Sequence, residues 1–336
     1  MLVAGPLVAM ISTLAALLAT ASAGVPFRDP DHVAGRRLLM VVALVLLLVV
    51  LDVVARAVNR SAKLLPPLRA IELVRRERWT WRRGVAVASA LVSFYVTYLA
   101  YRNLKSVVPL LRPDELFDRQ LAEFDRAMFA GNDPAALLHS LLGTGLPAHV
   151  LSASYMLFFA FIPGTLAFAL VFARDLKAGL FYVTAQSLNW LLGAATYFLL
   201  PSLGPIYADP AAFGNLPPTG VSELQRILLE QRVDFLHDPV AGTAQSIAAF
   251  SSLHVSIFLT AALIAHMLGL GRRLRSAAWI SVGLTVAATI YLGWHYVADD
   301  LGGVVVALMA IWLARVLTGF DLRTARAVPA PNPAPA

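Results

Sequence analysis

Eight apolar segments separated by polar loops constrain the fold of this 336-residue sequence more than any other feature. A helix needs roughly 20 mainly apolar residues to cross the hydrocarbon core of a membrane. Inside a bilayer, a chain satisfies its backbone hydrogen bonds only as helices or as a closed barrel. The sequence therefore predicts an all-α polytopic membrane bundle with about eight transmembrane helices. The predicted spans are residues 3–23, 38–58, 85–104, 148–173, 178–200, 251–270, 276–294 and 297–317.

The composition also indicates a membrane protein. Of the residues, 59% are hydrophobic and 14% are charged, whereas a soluble domain is closer to half apolar and a quarter charged. No cysteine is present, which excludes disulfides, a thiol nucleophile and a thiolate metal site. The formal net charge is +7, but the basic residues are distributed by loop and form no single stripe. A nucleic-acid partner is therefore not expected, and no motif implies a cofactor.

Lysine and arginine are concentrated in the loops on one side of the predicted membrane. Cytoplasmic loops of membrane proteins carry an excess of these residues. We therefore expect a cytoplasmic N-terminus in the plasma membrane, with the opposite loops on the extracytoplasmic side. The basic segments of the cytoplasmic side are 56–83, 174–177, 272–275 and 315–326.

The first apolar segment ends in Ala21-Ser22-Ala23, which resembles a signal-peptidase site. A signal peptide carries basic residues before its apolar run, and this segment has none. The pattern favours a retained anchor over a cleaved signal, and either outcome leaves the remaining topology unchanged.

Four regions follow one another along the chain. Residues 1–84 are expected to form a membrane hairpin and a basic cytoplasmic segment. Residues 85–147 contain the third span and an amphipathic segment that we expect to lie as a short helix on the outer face. Residues 148–320 form the helical core, which is interrupted by the outer loop 201–250 with its amphipathic turn of helix. Residues 321–336 are rich in proline and are expected to be disordered.

Two short segments place ionisable side chains at the outer ends of predicted spans. His254 lies at the start of the sixth span, and His295 and Asp299 lie where the seventh span leads into the eighth. Ionisable residues at such positions are energetically costly and usually have a function. We therefore predict that these three side chains form one catalytic site.

The spacing of these residues suggests a division of roles. His295 and Asp299 are four residues apart and share a face if they lie on a helix. The carboxylate can then accept the imidazole N–H, which makes the other ring nitrogen nucleophilic. His254 can donate a proton to a leaving oxygen, and Ser252 lies at a helix N-terminus, where backbone amides collect an anion. These groups suffice to split a phosphoester through a phosphohistidine. Asp300 points about 100° away from Asp299, and we expect a solvent or loop partner for it.

Two alternatives to this catalytic site are open from the residues alone. The three side chains of His254, His295 and Asp299 would suit zinc or iron, but no fourth ligand or supporting residue is apparent. We therefore predict no metal. The histidines could also be hydrogen-bonded packing residues, although three groups converging on one membrane face favour a functional site.

Ser252-Leu253-His254 and His295-x-x-x-Asp299 resemble the second and third signature motifs of the type 2 phosphatidic acid phosphatase superfamily. The Phe-x-Ser-Leu-His form, with a Gly-Gly after the third motif, is most similar to the inositolphosphotransferase branch, typified by inositol phosphorylceramide synthase. The resemblance implies a membrane enzyme with a lipid phosphate or phospholipid substrate. It also implies that His295 is the nucleophile, Asp299 orients it, His254 is the general acid and Ser252 helps to hold the phosphate.

The first signature motif, Lys-x6-Arg-Pro, departs from the superfamily pattern. It is absent just before the second motif, where the chain reads Pro-Ser-Leu-Gly-Pro-Ile-Tyr at 201–207. Lys105 and Arg112-Pro113 match the motif in full, but two helices too early. A phosphate needs positive charge around it, so this segment is a candidate phosphate-binding motif that folds over the site. It is equally a candidate headgroup-facing cluster that only anchors the helix end.

Three functions compete on this pattern. The leading hypothesis is transfer of a phosphoryl-alcohol group between lipids. Hydrolysis, with water in place of the acceptor alcohol, is the nearest alternative. A lipid carrier or flippase would use the same space without chemistry, and it would favour paired, broken helices in two halves, of which the sequence shows none.

Overall fold

The computed structural model of this protein describes residues 2–29, 33–61, 66–173 and 175–321. Every regular element in these ranges is helical, which confirms the all-α class. The α-helices are α1 (Ala4–Ser22), α2 (Leu38–Ser61), α3 (Pro67–Arg78), α4 (Trp81–Leu111), α5 (Asp118–Met128), α6 (Pro134–Leu142), α7 (Leu146–Met156), α8 (Phe158–Phe172), α9 (Leu176–Leu199), α10 (Pro205–Ala208), α11 (Gly220–His237), α12 (Leu253–Met267), α13 (Arg272–Tyr291) and α14 (Val297–Thr318).

Six helical segments among the described residues are long and apolar enough to cross a membrane, so the chain is an integral membrane protein. The six are α1, residues 35–60 with α2, α4, α7 together with α8, α13 and α14. The predicted count of about eight is not confirmed. The other two predicted spans form α9, which is too polar to qualify, and α12, which has only 15 residues.

The polar character of α9 results from its central position in the bundle. It packs against α4, α8, α12 and α14, and its polar side chains are buried against α12. Asn189 donates to Thr260 Oγ1 at 3.0 Å and accepts from Ser256 Oγ, while Gln186 donates to the Ile257 carbonyl at 3.2 Å. Because buried polar groups need such partners, a helix enclosed by protein can carry residues that a lipid-facing helix cannot.

Two predicted spans differ in length or continuity from their helices. The third span was expected to end at residue 104, but α4 continues to Leu111 and contains Pro109. Lys105 is therefore part of a helix and not of a loop. The fourth span is divided at Leu157 into α7 and α8.

The basic end of the bundle, defined by α3 and the adjacent ends of α2, α4 and α8, is held by ion pairs and carbonyl contacts. Asp52 on α2 is buried and pairs with Arg56 at 2.8 Å and with Arg78 at 2.6 Å. Arg78 and Arg83 donate to the Val171 carbonyl at the end of α8, at 2.9 and 3.2 Å. These bonds satisfy carbonyl groups that a helix C-terminus leaves without partners.

The opposite end, the loop end, carries α5, α6, α10 and α11 with their connecting loops. The predicted outer-face helix corresponds to α5, and the predicted turn of helix near residues 221–233 is part of α11. The tail that the sequence predicts to be disordered lies outside the described residues apart from Asp321. The same holds for four residues of the predicted basic segments, Lys63, Arg174, Arg323 and Arg326.

Candidate active site

The two histidines singled out in the sequence lie side by side at the loop end. His254 is the second residue of α12, and His295 lies in the short connection between α13 and α14. Their ring centroids are 5.8 Å apart. Two residues that are 41 positions apart in the sequence are therefore neighbours in the fold.

Asp299 contacts His295, although not through a shared helical face as the spacing predicts. Because α14 begins at Val297, His295 precedes the helix. The backbone N–H of Tyr296 donates to Asp299 Oδ2 at 2.9 Å, and His295 Nδ1 lies 3.4 Å from the same oxygen. The turn therefore directs the carboxylate back to the imidazole, and a ring that donates its Nδ1 proton to Asp299 carries its lone pair on Nε2.

Electrostatics favour a neutral imidazole at His295, which lies between the spans α13 and α14. The side chain is 6% exposed. Burial is the main cause that lowers its pKa to about 4, and the nearby charge of Lys105 acts in the same direction, whereas Asp300 opposes it. A neutral ring has the free lone pair that a nucleophile needs.

Asp300, for which we expected a solvent or loop partner, is buried. Its carboxylate accepts a hydrogen bond from Thr289 Oγ1 on α13 at 3.1 Å and another from the Ser252 side chain at the start of α12. It therefore joins three helices behind the histidines.

Ser252 acts as the N-cap of α12, and its hydroxyl is already engaged. The side chain is fully buried and accepts from the Val255 N–H at 3.4 Å, in addition to its bond to Asp300. Its own N–H donates to the Asp299 carbonyl at 2.9 Å. The predicted phosphate-binding group at Ser252 is thus buried behind the helix end.

The neighbouring amides of α12 are in a different state. Within the described part of the chain, the backbone N–H groups of Leu253 and His254 have no hydrogen-bond acceptor. The first N–H groups of a helix lack intrahelical partners and favour anions. The start of α12 therefore offers two donors next to the imidazole pair.

The Gly302-Gly303 pair allows α14 to approach the start of α12 closely. A Cβ on Gly303 would lie 2.4 Å from the Ser252 carbonyl oxygen, and one on Gly302 would lie 2.9 Å from Ser251 Cβ. Both distances are shorter than van der Waals contact. Any larger residue would separate the helix that carries Asp299 from the helix that carries His254.

Lys105 lies beside the histidines. Its Nζ is 5.0 Å from the ring centroid of Tyr197 and 5.9 Å from that of Tyr101, and its charge acts on both imidazoles. It makes no salt bridge with any residue that the structure describes. A lysine amine that lies against two ring faces and has no ion-pair partner among the described residues is a candidate anion-binding group.

Arg112, the other cation of the displaced motif, is directed elsewhere. It lies at the end of α4, pairs with Glu115 and donates to the Phe198 carbonyl. The structure therefore brings Lys105 to the histidines and places Arg112 in an ion pair at the surface.

Aromatic residues of α7 and α8 enclose His254. Its ring stacks on Tyr155 with centroids 4.5 Å apart and contacts Phe158 at 4.2 Å, while Trp294 stacks on the other side of Tyr155 at 5.3 Å. The break at Leu157 lets both α7 and α8 contribute a ring. Sequence reasoning missed these residues, since an aromatic residue in a span is ordinarily a packing residue.

Sequence reasoning also missed two acidic residues of α5. Asp118 and Asp125 are 8% and 3% exposed, and burial raises the pKa of both carboxyls against the opposing effect of backbone N–H donors. With Leu121 they follow the i, i+3, i+7 spacing of one helical face. Acids within a buried stripe need specific partners, so this spacing could have indicated them.

The structure also contains a cavity away from the histidines. This cavity of about 210 Å³ is lined by mainly apolar residues around the start of α11, and its lining does not include His254 or His295. Within residues 2–29, 33–61, 66–173 and 175–321, no cluster of three or more His, Asp and Glu side chains has the arrangement of a metal site.

The fold and the site together define a class: an integral membrane helical bundle with two neighbouring imidazoles, a carboxylate in contact with one of them and a lysine at the same end. The chain belongs to the PAP2 superfamily, which matches residues 119–313, more than half of the sequence. No curated protein and no solved structure matches it. Membership confirms the superfamily that the motifs resemble and indicates an enzyme that hydrolyses or transfers phosphate esters.

Proposed function

We propose that this protein is a membrane-embedded phosphotransferase that acts on a lipid phosphate or phosphodiester through a phosphohistidine at His295. The observation that carries the proposal is the state of Lys105. Its amine lies against the rings of Tyr197 and Tyr101, within electrostatic range of both imidazoles, and has no carboxylate partner among the described residues. A partly enclosed amine without a counter-ion is charged most readily when a ligand supplies the negative charge, and a phosphoryl group does so.

The first half-reaction forms a phosphoenzyme. His295 Nε2 attacks phosphorus, a P–N bond forms, and the P–O bond to the leaving alcohol breaks. Asp299 holds the Nδ1 proton and stabilises the positive charge that develops on the ring. His254, protonated on binding of the anionic substrate, gives its proton to the leaving oxygen.

The second half-reaction returns the enzyme to its initial state. An acceptor alcohol gives its proton to His254 as its oxygen attacks phosphorus, and the P–N bond breaks. Throughout, Lys105 and the N–H groups of Leu253 and His254 bind the non-bridging oxygens, where negative charge accumulates.

The distribution of charge supports an orientation in the membrane. The basic end carries Arg56, Arg78 and Arg83, and lysine and arginine are enriched on the cytoplasmic side of membrane proteins. The histidines lie at the other end, so the reaction would take place on the extracytoplasmic side of the plasma membrane. On this topology α9 and α12 also cross the bilayer, giving the eight spans that the sequence predicts.

Transfer is favoured over hydrolysis by the form of the second motif. Phe250-x-Ser252-Leu253-His254 resembles the inositolphosphotransferase branch more than the phosphatase branch. The aromatic enclosure of His254 by Tyr155 and Phe158 supports the same choice, because limiting water around an intermediate suppresses its hydrolysis.

A labelled phospholipid distinguishes the candidate functions. The purified protein in detergent or vesicles is incubated with a phospholipid labelled at phosphorus, with and without added lipid alcohols. We expect an acid-labile, base-stable phosphoenzyme and a new labelled lipid. Release of free phosphate or a phosphomonoester without a new lipid would identify hydrolysis, and movement of intact lipid between leaflets without product would identify a carrier.

A further inference from the structure

Two loops meet behind His295, and both are held by the surface helix α5. One loop precedes α10 and includes Leu203 and Gly204. The other is the connection between α13 and α14, which contains His295 and leads into the first turn of α14. Neither loop has regular secondary structure at these positions, so its geometry depends on contacts with other parts of the chain.

Asp125 binds the start of α14. Its Oδ2 accepts from the Val297 N–H at 2.7 Å and its Oδ1 accepts from the Ala298 N–H at 3.0 Å. A carboxylate at a helix N-terminus satisfies amides that have no intrahelical partner and interacts favourably with the helix dipole. Here the capping carboxylate comes from another helix, so it fixes the position of α14 relative to α5.

Asp118 binds the loop before α10 and contacts the connection between α13 and α14. It accepts from the backbone N–H groups of Leu203 and Gly204, at 3.0 and 2.9 Å. The Tyr296 hydroxyl donates to it at 3.2 Å. One carboxylate therefore links the loop before α10 to the residue that directly follows His295.

The loop held by Asp118 supports the segment on the other side of His295. Gly204 lies so close to the Trp294 carbonyl that a Cβ would be 2.4 Å from its oxygen. Ser202 accepts from the Phe250 N–H and its carbonyl accepts from the Ala249 N–H, at 3.0 and 2.9 Å. The segments before both histidines are thus fastened to this loop.

We propose that Asp118 and Asp125 are positioning residues, which set the contact of His295 with Asp299 by holding the backbone on both sides of His295. This inference rests on the proposed function, because it gives α5 a role in the formation of the phosphohistidine. His295 lies between Trp294, which is packed on Gly204, and Tyr296, which binds Asp118. Asp299 moves with the first turn of α14, which Asp125 holds.

Small displacements matter for a nucleophile. The 3.4 Å separation of His295 Nδ1 from Asp299 Oδ2 is already at the long end of a hydrogen bond. Misplacing a reacting group by about 1 Å can cost on the order of 100-fold in rate. Loosening either loop should therefore slow the chemical step, whereas binding of the phosphate by Lys105 and the amides of α12 should persist.

The test replaces each carboxylate by its amide. Asp118→Asn and Asp125→Asn each retain one acceptor oxygen and nearly the same shape, so the fold should be kept. Glu123→Gln is the matched control, since Glu123 lies on the same helix, is exposed and pairs with Arg119 at 3.9 Å. Single-turnover formation of the phosphoenzyme is measured together with kcat and KM for the labelled phospholipid.

We expect each Asn variant to lower kcat and the rate of phosphoenzyme formation by ~10- to 100-fold, with KM within about twofold of the unmodified protein. Glu123→Gln should leave both unchanged. A normal kcat in the folded Asn variants, or a raised KM with normal kcat, would overturn the positioning role.

Two further variants keep the outcome interpretable. If an Asn variant does not fold, Tyr296→Phe decides, because it removes only the hydroxyl that binds Asp118. A decrease in kcat with unchanged KM supports the proposal, and no change contradicts it. His295→Ala separates this inference from the proposed function: retained turnover would refute the nucleophile itself, whereas lost turnover with fully active Asn variants would refute only the role of α5.

Discussion

The two ends of the bundle differ in whether their basic side chains have ion-pair partners. At the basic end, Asp52 is paired with Arg56 and Arg78, and Arg83 binds carbonyl groups at the end of α8. At the loop end, Lys105 is partly buried against the rings of Tyr197 and Tyr101 and has no salt-bridge partner among the described residues. Charges satisfied within the protein stabilise its fold. A lysine such as Lys105, which has no ion-pair partner among the described residues, instead indicates a ligand site.

The same contrast applies to backbone amides. The first amides of α14 are bound by Asp125, whereas those of Leu253 and His254 in α12 bind nothing within the described residues. Both helices start at the loop end, a few residues from a histidine. On the proposed function, this difference assigns anion binding to the start of α12 and a positioning role to the start of α14.

The largest expected effect comes from removing the nucleophile. His295→Ala should abolish phospholipid turnover and phosphoenzyme formation, since no other group can form the P–N bond in the same position. The matched control is His266→Ala, because His266 is an exposed histidine on α12 near the basic end. Turnover is measured per folded molecule, with folding checked by size-exclusion chromatography and thermal unfolding.

Residual activity decides this comparison. Turnover of His295→Ala above about one part in a thousand of the unmodified rate would show that another group is the nucleophile. A loss of activity in His266→Ala would show that the contrast between the two ends does not hold.

The second effect comes from the cation without a partner. Lys105→Met keeps the length of the side chain and removes its charge, and we expect kcat/KM to fall by ~100-fold or more, as for other groups that bind developing negative charge. Lys177→Met, an exposed lysine at the other end of the bundle, should change kcat/KM by less than about twofold.

Arg112 provides a sharper control from the same sequence motif. It is paired with Glu115 at the surface, so Arg112→Ala should reduce kcat/KM by no more than about threefold. Equal losses in Lys105→Met and Arg112→Ala would mean that both cations bind the phosphate, as the intact motif suggests.

The third effect tests the close approach of α14 to α12. Gly303→Ala places a methyl group 2.4 Å from the Ser252 carbonyl, which forces the helices apart. We expect a loss of about tenfold in kcat and a lower midpoint of thermal unfolding. Gly283→Ala on α13 is the matched control, because a Cβ there meets no atom within 4 Å, and it should leave both quantities unchanged or raise the midpoint. A fully active Gly303→Ala would contradict the close packing of the two motifs.

The sequence predicts those features of the fold and of the site that depend on residues close together in the chain. The sequence places His254 and His295 on one face of the membrane, because the ends of consecutive spans alternate between two sides. The Arg112–Glu115 pair is also local, three residues apart, and its spacing could have shown that Arg112 is engaged.

Other features depend on tertiary packing that periodicity does not determine. Lys105 reaches the histidines because α4 continues past its predicted end and packs on α9. The sequence predicts a span at 178–200 but not the central position of α9, which depends on the hydrogen bonds of its polar side chains with α12. The part played by Asp118 and Asp125 follows from where α5 docks, which no signal within α5 alone defines.

The smallest expected effect on activity comes from the basic end and completes the comparison. Asp52→Asn removes the charge that Arg56 and Arg78 share, and breaking a buried pair costs about 3–5 kcal/mol when one charge remains buried. Arg78 is 17% exposed and Arg56 is 49% exposed, so relaxation towards solvent should hold the loss near the lower limit or below it. We expect a clearly lower midpoint of thermal unfolding and an unchanged kcat per folded molecule.

Glu72→Gln, which disrupts exposed pairs with Arg75 and Arg76, should change neither quantity. A decrease in kcat for Asp52→Asn would show that the basic end is coupled to the histidines, and the separation of stabilising from ligand-binding charge would then have to be abandoned.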